Sequence, residues 1–145
     1  MERGGVTLCA PVADEIRVCQ SEPEEWGAWL ERSIDDDRCV FFAVREDGRL
    51  VGEIFLHDAA VDGSDAMLGY HLFDEEDRGR GIGSLALSLL LDWLQDHPTI
   101  KRLFVTTGEG NVASRRMLER AGLKLIGRPR EDARKVLYLW GERAA

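Results

Sequence analysis

The sequence predicts an α/β fold, a mixed and mostly antiparallel sheet flanked by helices. Three observations lead there. Two turn signals, Glu46-Asp47-Gly48 and Asp62-Gly63-Ser64, divide consecutive strand-like runs, and Asp-Gly between apolar runs marks a hairpin. A glycine-rich stretch, Arg78 to Ser84, then opens a helical pattern that is apolar almost all round. After it, strand and helix patterns alternate toward the end of the sequence.

In chain order, Val6 to Ala10 reads as a short strand. Glu22 to Ile34 reads as a helix, because Trp26, Trp29, Leu30 and Ile34 recur at helical spacing behind Ser21, a suitable N-cap. Val40 to Val44, Leu50 to His57 and Ala66 to Phe73 are the three strands divided by the two turns. Leu85, Ala86, Leu89, Leu90, Trp93 and Leu94 make the apolar helix, which stops before Pro98. Arg102 to Thr107 is a further strand. Asn111 suits the N-cap of a helix carrying Val112, Met117, Leu118 and Ala121, and Gly122 falls where a left-handed C-terminal residue is wanted. Leu123 to Ile126 and Lys135 to Trp140 close as two strands. No internal repeat or Pro/Gly/Ser-rich linker interrupts this order, so residues 1–145 are expected to form a single domain.

Composition excludes several classes. At 145 residues the chain can bury a core without disulfides or a metal. No apolar run approaches the roughly 20 residues that cross a bilayer, so no membrane association is expected. Met1 to Gly5 lacks the apolar stretch of a secretory leader. Cys9, Cys19 and Cys39 fit neither a disulfide framework nor zinc spacing. Buried free thiols in a reducing, cytoplasmic setting are the expectation, with no metal site. A net charge of −8 argues against non-specific nucleic-acid binding and suits a cationic substrate.

The stretch Arg78-Gly79-Arg80-Gly81-Ile82-Gly83-Ser84 is the strongest candidate site. The first amides of a helix have no internal partner and carry the positive end of its dipole, and glycines let a phosphate approach the backbone. Two phosphate-binding patterns fail here. A P-loop needs Gly-Lys-Ser/Thr, which occurs nowhere in the chain. A dinucleotide fingerprint needs a third glycine where Ser84 stands, and a position at the first turn of a βαβ unit. Arg78, Gly81 and Gly83 do meet Arg/Gln-x-x-Gly-x-Gly/Ala, the signature of the GNAT N-acetyltransferase superfamily. The strand Gly69-Tyr70-His71-Leu72-Phe73 and the later Asn111-Val112-Ala113-Ser114, followed by Met117 to Leu123, also resemble that family over roughly Leu50 to Ile126. The pattern is most similar to its ribosomal-protein N-terminal acetyltransferase-like branch.

The resemblance implies a sheet that splays between the strand before the central helix and the strand after it, with acetyl-CoA lying in the gap as co-substrate. Carried over, backbone groups of Leu72 and Phe73 hold pantetheine, the amides of Gly79, Arg80, Gly81, Ile82, Gly83 and Ser84 hold pyrophosphate beside Arg78, and Asn111 reaches the pantetheine arm. The implied reaction is direct acetyl transfer to a primary amine, on a small molecule or a peptide N-terminus. A homodimer is compatible with it. The alternative is a non-catalytic acyl-CoA-binding sensor or interaction module of the same fold.

Two departures from the family keep that alternative open. Leu118 stands where many members place the tyrosine that assists the leaving thiolate, and Ser114 is the substitute. Met67 and Thr106 stand where some members place a glutamate base. Strand alternation then makes Glu53 and His71 the leading base candidates, with Tyr70 and Tyr138 behind. Bland readings exist for each: Asn111 as a cap, Ser114 as a helix-start residue, Phe73 as core.

Overall fold

The computed structural model describes residues 1–9, 40–57, 64–96 and 100–141. The helix expected over Glu22 to Ile34, the turn at Asp62-Gly63, and Cys19 and Cys39 lie outside the described residues. Within them, eight strands form one sheet: β1 (Glu2–Arg3), β2 (Val6–Cys9), β3 (Val40–Glu46), β4 (Arg49–His57), β5 (Asp65–Leu72), β6 (Arg102–Gly108), β7 (Lys124–Gly127) and β8 (Lys135–Gly141). Two helices belong to them, α1 (Ile82–Gln95) and α2 (Val112–Arg120). No helix among the described residues is long and apolar enough to cross a membrane.

The strands lie side by side as β1-β2-β3-β4-β5-β6-β8-β7. Every neighbouring pair is antiparallel except β5 with β6. Local chemistry accounts for the antiparallel half. Asp47 and Gly48 both take positive φ, 50° and 84°, the backbone that a two-residue hairpin between β3 and β4 requires. The short β1 was not anticipated, since two charged residues carry no alternation. It is held to α1 by Arg3, which bonds Ser88 and pairs with Asp92.

The parallel pair positions the site. β5 meets β6 only where Asp65 to Met67 face Arg102 to Phe104. Beyond that point β5 runs on to Leu72 and β6 to Gly108 without pairing, so the sheet opens as the family resemblance implied. Antiparallel β8 joins β6 along its whole length, so the opening has firm strands on both sides.

The large hydrophobic cluster of the described residues lies on one face of the sheet, beneath both helices. Leu87, Leu90 and Leu94 of α1 and Leu118 of α2 are fully buried there with Ile54, Leu56, Leu68, Leu103, Val105 and Tyr138. Each such leucine contributes about 1.5–3 kcal/mol by leaving water. The helix is less uniformly apolar than its sequence suggests, because Ser84, Asp92 and Gln95 face solvent. Trp93 of α1 meets Phe42 of β3 edge to face at 5.3 Å, which identifies this as the helix side of the sheet.

Candidate active site

The glycine stretch forms the turn into α1. Gly81 is the N-cap residue in the left-handed region, φ 84°, and makes no side-chain cap. Gly79 also has positive φ, 76°. These two glycines swing the chain so that the first amides of α1 point away from the helix. The first helical return bond runs from Leu85 N–H to the Gly81 carbonyl at 3.1 Å, which leaves the amides of Ile82, Gly83 and Ser84 without a helical acceptor. A Cβ on Gly81 would touch nothing within 4 Å, so the space in front of the loop is open.

The two arginines of the loop have different fates. Arg78 is exposed and donates to the Leu72 carbonyl at 3.2 Å, tying the loop to the end of β5. Arg80 turns the other way. It is bonded to both Glu46 oxygens at 2.7 and 2.8 Å and to Asp77 Oδ1 at 3.0 Å. Asp77, only 3% exposed, is also gripped by both terminal nitrogens of Arg49, at 2.7 and 3.2 Å. The hydrogen bonds and charges of Arg49 and then Arg80 hold the Asp77 carboxyl below its usual range. Arg80 therefore fastens the loop to the β3–β4 hairpin, and its charge is already matched there.

At the opening, strand alternation decides which backbone groups are available. The Phe73 N–H donates to Val51 O at 3.0 Å, on the β4 side. Phe73 therefore offers no amide to the gap. By alternation, the N–H and C=O of Tyr70 and Leu72 point to the open β6 side.

The side chains at the opening fall on two faces. Asn111 caps α2, its Oδ1 accepting from Ser114 N at 3.2 Å. This holds Ser114 in the first turn, where its Oγ accepts from Thr107 Oγ1 at 3.0 Å and is hydrogen bonded to Tyr70 OH. Tyr70 lies opposite Ile54 and packs on the helix-side core, so this hydroxyl cluster is on the helix side. Leu118 is wholly buried and presents nothing to the gap. Tyr138 is also wholly buried; its hydroxyl donates to Glu119 Oε1 at 2.8 Å and accepts from Arg115 Nε at 3.1 Å.

Glu53 and His71 are brought together on the other face, directly opposite one another on β4 and β5. Phe41 stacks on Phe55 with ring centres 5.0 Å apart, and His71 meets Phe73 at 5.5 Å. Gly69 is needed beneath this layer, since a Cβ there would sit 2.4 Å from the Phe55 ring. Glu53 is 1% exposed, and among the described residues neither carboxylate oxygen has a hydrogen-bond partner. Burial pushes its carboxyl up to about 7. Burial, and then the charge of Arg78, lower His71 below its ordinary value of 6.5. The sequence signals for this pair were real but weak: a carboxylate and an imidazole on apolar strands. Thr107 was missed, because nothing in a Thr-Thr-Gly strand end distinguishes one hydroxyl from another.

A groove of about 520 Å³ continues from Ser84 along α1 and α2, lined by Ser88, Leu91, Met117, Arg120 and Trp140 among others. It is open and sits beyond the glycine turn rather than at the opening of the sheet.

Comparison with known proteins gives a consistent picture. A family model described as an acetyltransferase (GNAT) domain matches residues 12–124. No curated protein sequence matches this one. Among solved structures, the microcin C7 self-immunity acetyltransferase MccE, in complex with acetyl-CoA and AMP, superposes with a TM-score of 0.79 at 17% identity, over 97% of this chain and 94% of that one. RimL, a ribosomal L7/L12 α-N-protein acetyltransferase in complex with coenzyme A, gives 0.80 at 17% identity, over 96% and 95%. The ribosomal-protein-S5-alanine acetyltransferase of Vibrio fischeri gives 0.77 at 16%, over 97% and 95%. At such identities the likeness establishes the fold.

Proposed function

The chain belongs to the GNAT acetyltransferase family, and from that premise we propose that it moves the acetyl group of acetyl-CoA directly to a primary amine within a single domain. The observation that carries this is the open seam between β5 and β6, ending beside the unpaired first amides of α1. The residues fit acetyl-CoA: the amides of Ile82, Gly83 and Ser84, with Arg78, suit its pyrophosphate, and the Tyr70 backbone and the Leu72 carbonyl offer strand-like pairing to pantetheine. The groove lined by Ser88 and Arg120 suits the nucleotide end. Complexes of MccE with acetyl-CoA and of RimL with coenzyme A support the same assignment.

In this mechanism the amine attacks the thioester carbonyl in the seam. The Leu72 N–H faces the gap and stabilises the developing oxyanion. His71, on the strand that lines the seam, takes the amine proton; its lowered pKa keeps the imidazole neutral and able to accept. Glu53, directly opposite, stabilises the resulting imidazolium. The C–N bond forms, the C–S bond breaks, and the hydroxyl cluster at Ser114 faces the departing sulfur. The acyl-CoA-binding module is disfavoured as an alternative, because a buried carboxylate without a hydrogen-bond partner is costly to keep in a merely structural role.

Gly81→Asp tests the reading, with Gly81→Asn as control. Both residues strain the same left-handed backbone, and only Asp brings a negative charge to the pyrophosphate position. The Asn variant is expected to keep the acetyl-CoA-induced rise in melting temperature and the Asp variant to lose it. An equal rise in both folded variants would reject the loop as the pyrophosphate site.

A further inference from the structure

Three hydroxyls meet at the seam on the helix side: Thr107 of β6, Ser114 of α2 and Tyr70 of β5. They carry three protons, and their two mutual contacts use two of them, so one O–H remains unspent. Thr107 gives its proton to Ser114. The unspent O–H therefore belongs to Ser114 or to Tyr70. A phenol, with a reference pKa of about 10, is a far stronger donor than an aliphatic alcohol, so a chain that polarises toward an anion ends best on the phenol. Tyr70 also stands on the strand whose open edge lines the gap, while the turn of α2 at Leu118 has no hydroxyl to give.

Resting on the acetyl-transfer reading above, we propose that Tyr70 is the terminal hydrogen-bond donor to the departing thiolate, with Thr107 and Ser114 aligning and polarising it from behind. As the carbonyl carbon bonds to nitrogen, the C–S pair stays on sulfur and the Tyr70 O–H points at it. The amine proton leaves toward His71 on the other face. The phenol keeps its own proton, because a thiol reference of about 8.5 lies below that of tyrosine, and the thiolate is protonated from solvent as CoA departs. Burial raises Tyr70 further, which keeps the donor intact at neutral pH. Ser114 becomes a positioning residue.

The test needs no knowledge of the acceptor. The thiol of bound CoA is titrated by thiolate absorbance, with the desulfo-CoA complex subtracted so that protein cysteines and tyrosines cancel. In wild type the bound thiol is expected to ionise below its free value. Tyr70→Phe should raise its pKa by about one unit or more, the effect of one lost hydrogen bond to an anion. Ser114→Ala and Thr107→Val should raise it less, since the phenol survives, and replacing Tyr70 with 3-fluorotyrosine should lower it further without altering shape. With an amine whose acetylation is measurable, Tyr70→Phe should depress kcat and leave acetyl-CoA affinity in place. A thiol pKa indifferent to Tyr70→Phe, or a larger rise in Ser114→Ala, overturns the proposal while leaving acetyl transfer standing. If CoA fails to bind wild type, both readings fall. Should Tyr70→Phe not fold, the fluorotyrosine shift decides alone, and its absence is a refutation.

Discussion

The two faces of the sheet at the β5–β6 opening are made of different materials. On the helix side, Tyr70, Ser114 and Thr107 bond one another from three elements, and the three groups are themselves uncharged hydroxyls. On the far side, Glu53 is sealed among Phe41, Phe55 and Ala43 without a hydrogen-bond partner among the described residues, opposite an imidazole whose pKa burial has lowered. A satisfied hydroxyl chain can donate without changing its charge. A carboxylate raised to about 7 beside a neutral histidine is poised to exchange protons. Under the proposed mechanism, the difference would divide the labour of acyl transfer, with proton acceptance on one face and relief of the leaving sulfur on the other.

The largest effect that would sharpen this contrast is on the proton-accepting face. His71→Gln is expected to lower kcat by about 10²-fold or more, within the range that positioned proton transfer supplies. A base works only when deprotonated, so kcat/KM should rise with pH through a limb lying below 6.5. A limb near 7 that vanishes in Glu53→Gln would transfer the role to Glu53.

Stability offers the next test, because the same burial that tunes Glu53 must cost folding energy. A carboxyl at about 7 in the fold and 4.5 in the open chain binds more protons when folded across that window. Stability on this account falls as pH rises from 4.5 to 7, and the penalty is fully present above about 7. Glu53→Gln removes it. The variant should exceed wild type by on the order of 3 kcal/mol at pH 8 and match it near pH 4, as read by denaturant titration at both pH values. An equal difference at both would mean that the Glu53 carboxyl titrates alike in the fold and in the open chain, and the contrast between the faces would collapse.

The smallest expected effects separate the two loop arginines. Arg78, which has no carboxylate partner among the described residues, should matter for binding: Arg78→Gln is expected to weaken acetyl-CoA by about tenfold. Arg80 is already spent on Glu46 and Asp77, so Arg80→Gln should change the dissociation constant by about threefold or less. The reverse order, measured by calorimetry, would mean that Arg80 leaves its partners when the cofactor arrives.

Much of the architecture was legible because its determinants are local. Asp47-Gly48 specifies a hairpin, Asn111 caps α2, and Gly122, at φ 95°, ends it, all through the φ and ψ preferences of one or two residues. The glycine loop was legible for the same reason, since glycine spacing alone is enough to turn the chain and leave the first amides of α1 without a helical acceptor. The expectations that shifted were those that depend on what a side chain meets. Phe73 faces the gap in sequence but gives its amide to Val51; Arg80 sits in the motif but belongs to an ion-pair cluster.

By itself, then, the amino-acid order determined the run of strands and helices among the described residues, the β3–β4 hairpin, the cap of α2 and the glycine turn into α1, because those follow from short-range backbone chemistry. Only the tertiary structure decided that Glu53 lies opposite His71, that Tyr70, Ser114 and Thr107 converge, and that the carboxyl and the imidazole exchange their usual order of acidity. Those properties arise from register between distant strands and from the removal of water around particular atoms. Neither is encoded at any single position, and both appear only when segments far apart in the chain are packed against one another.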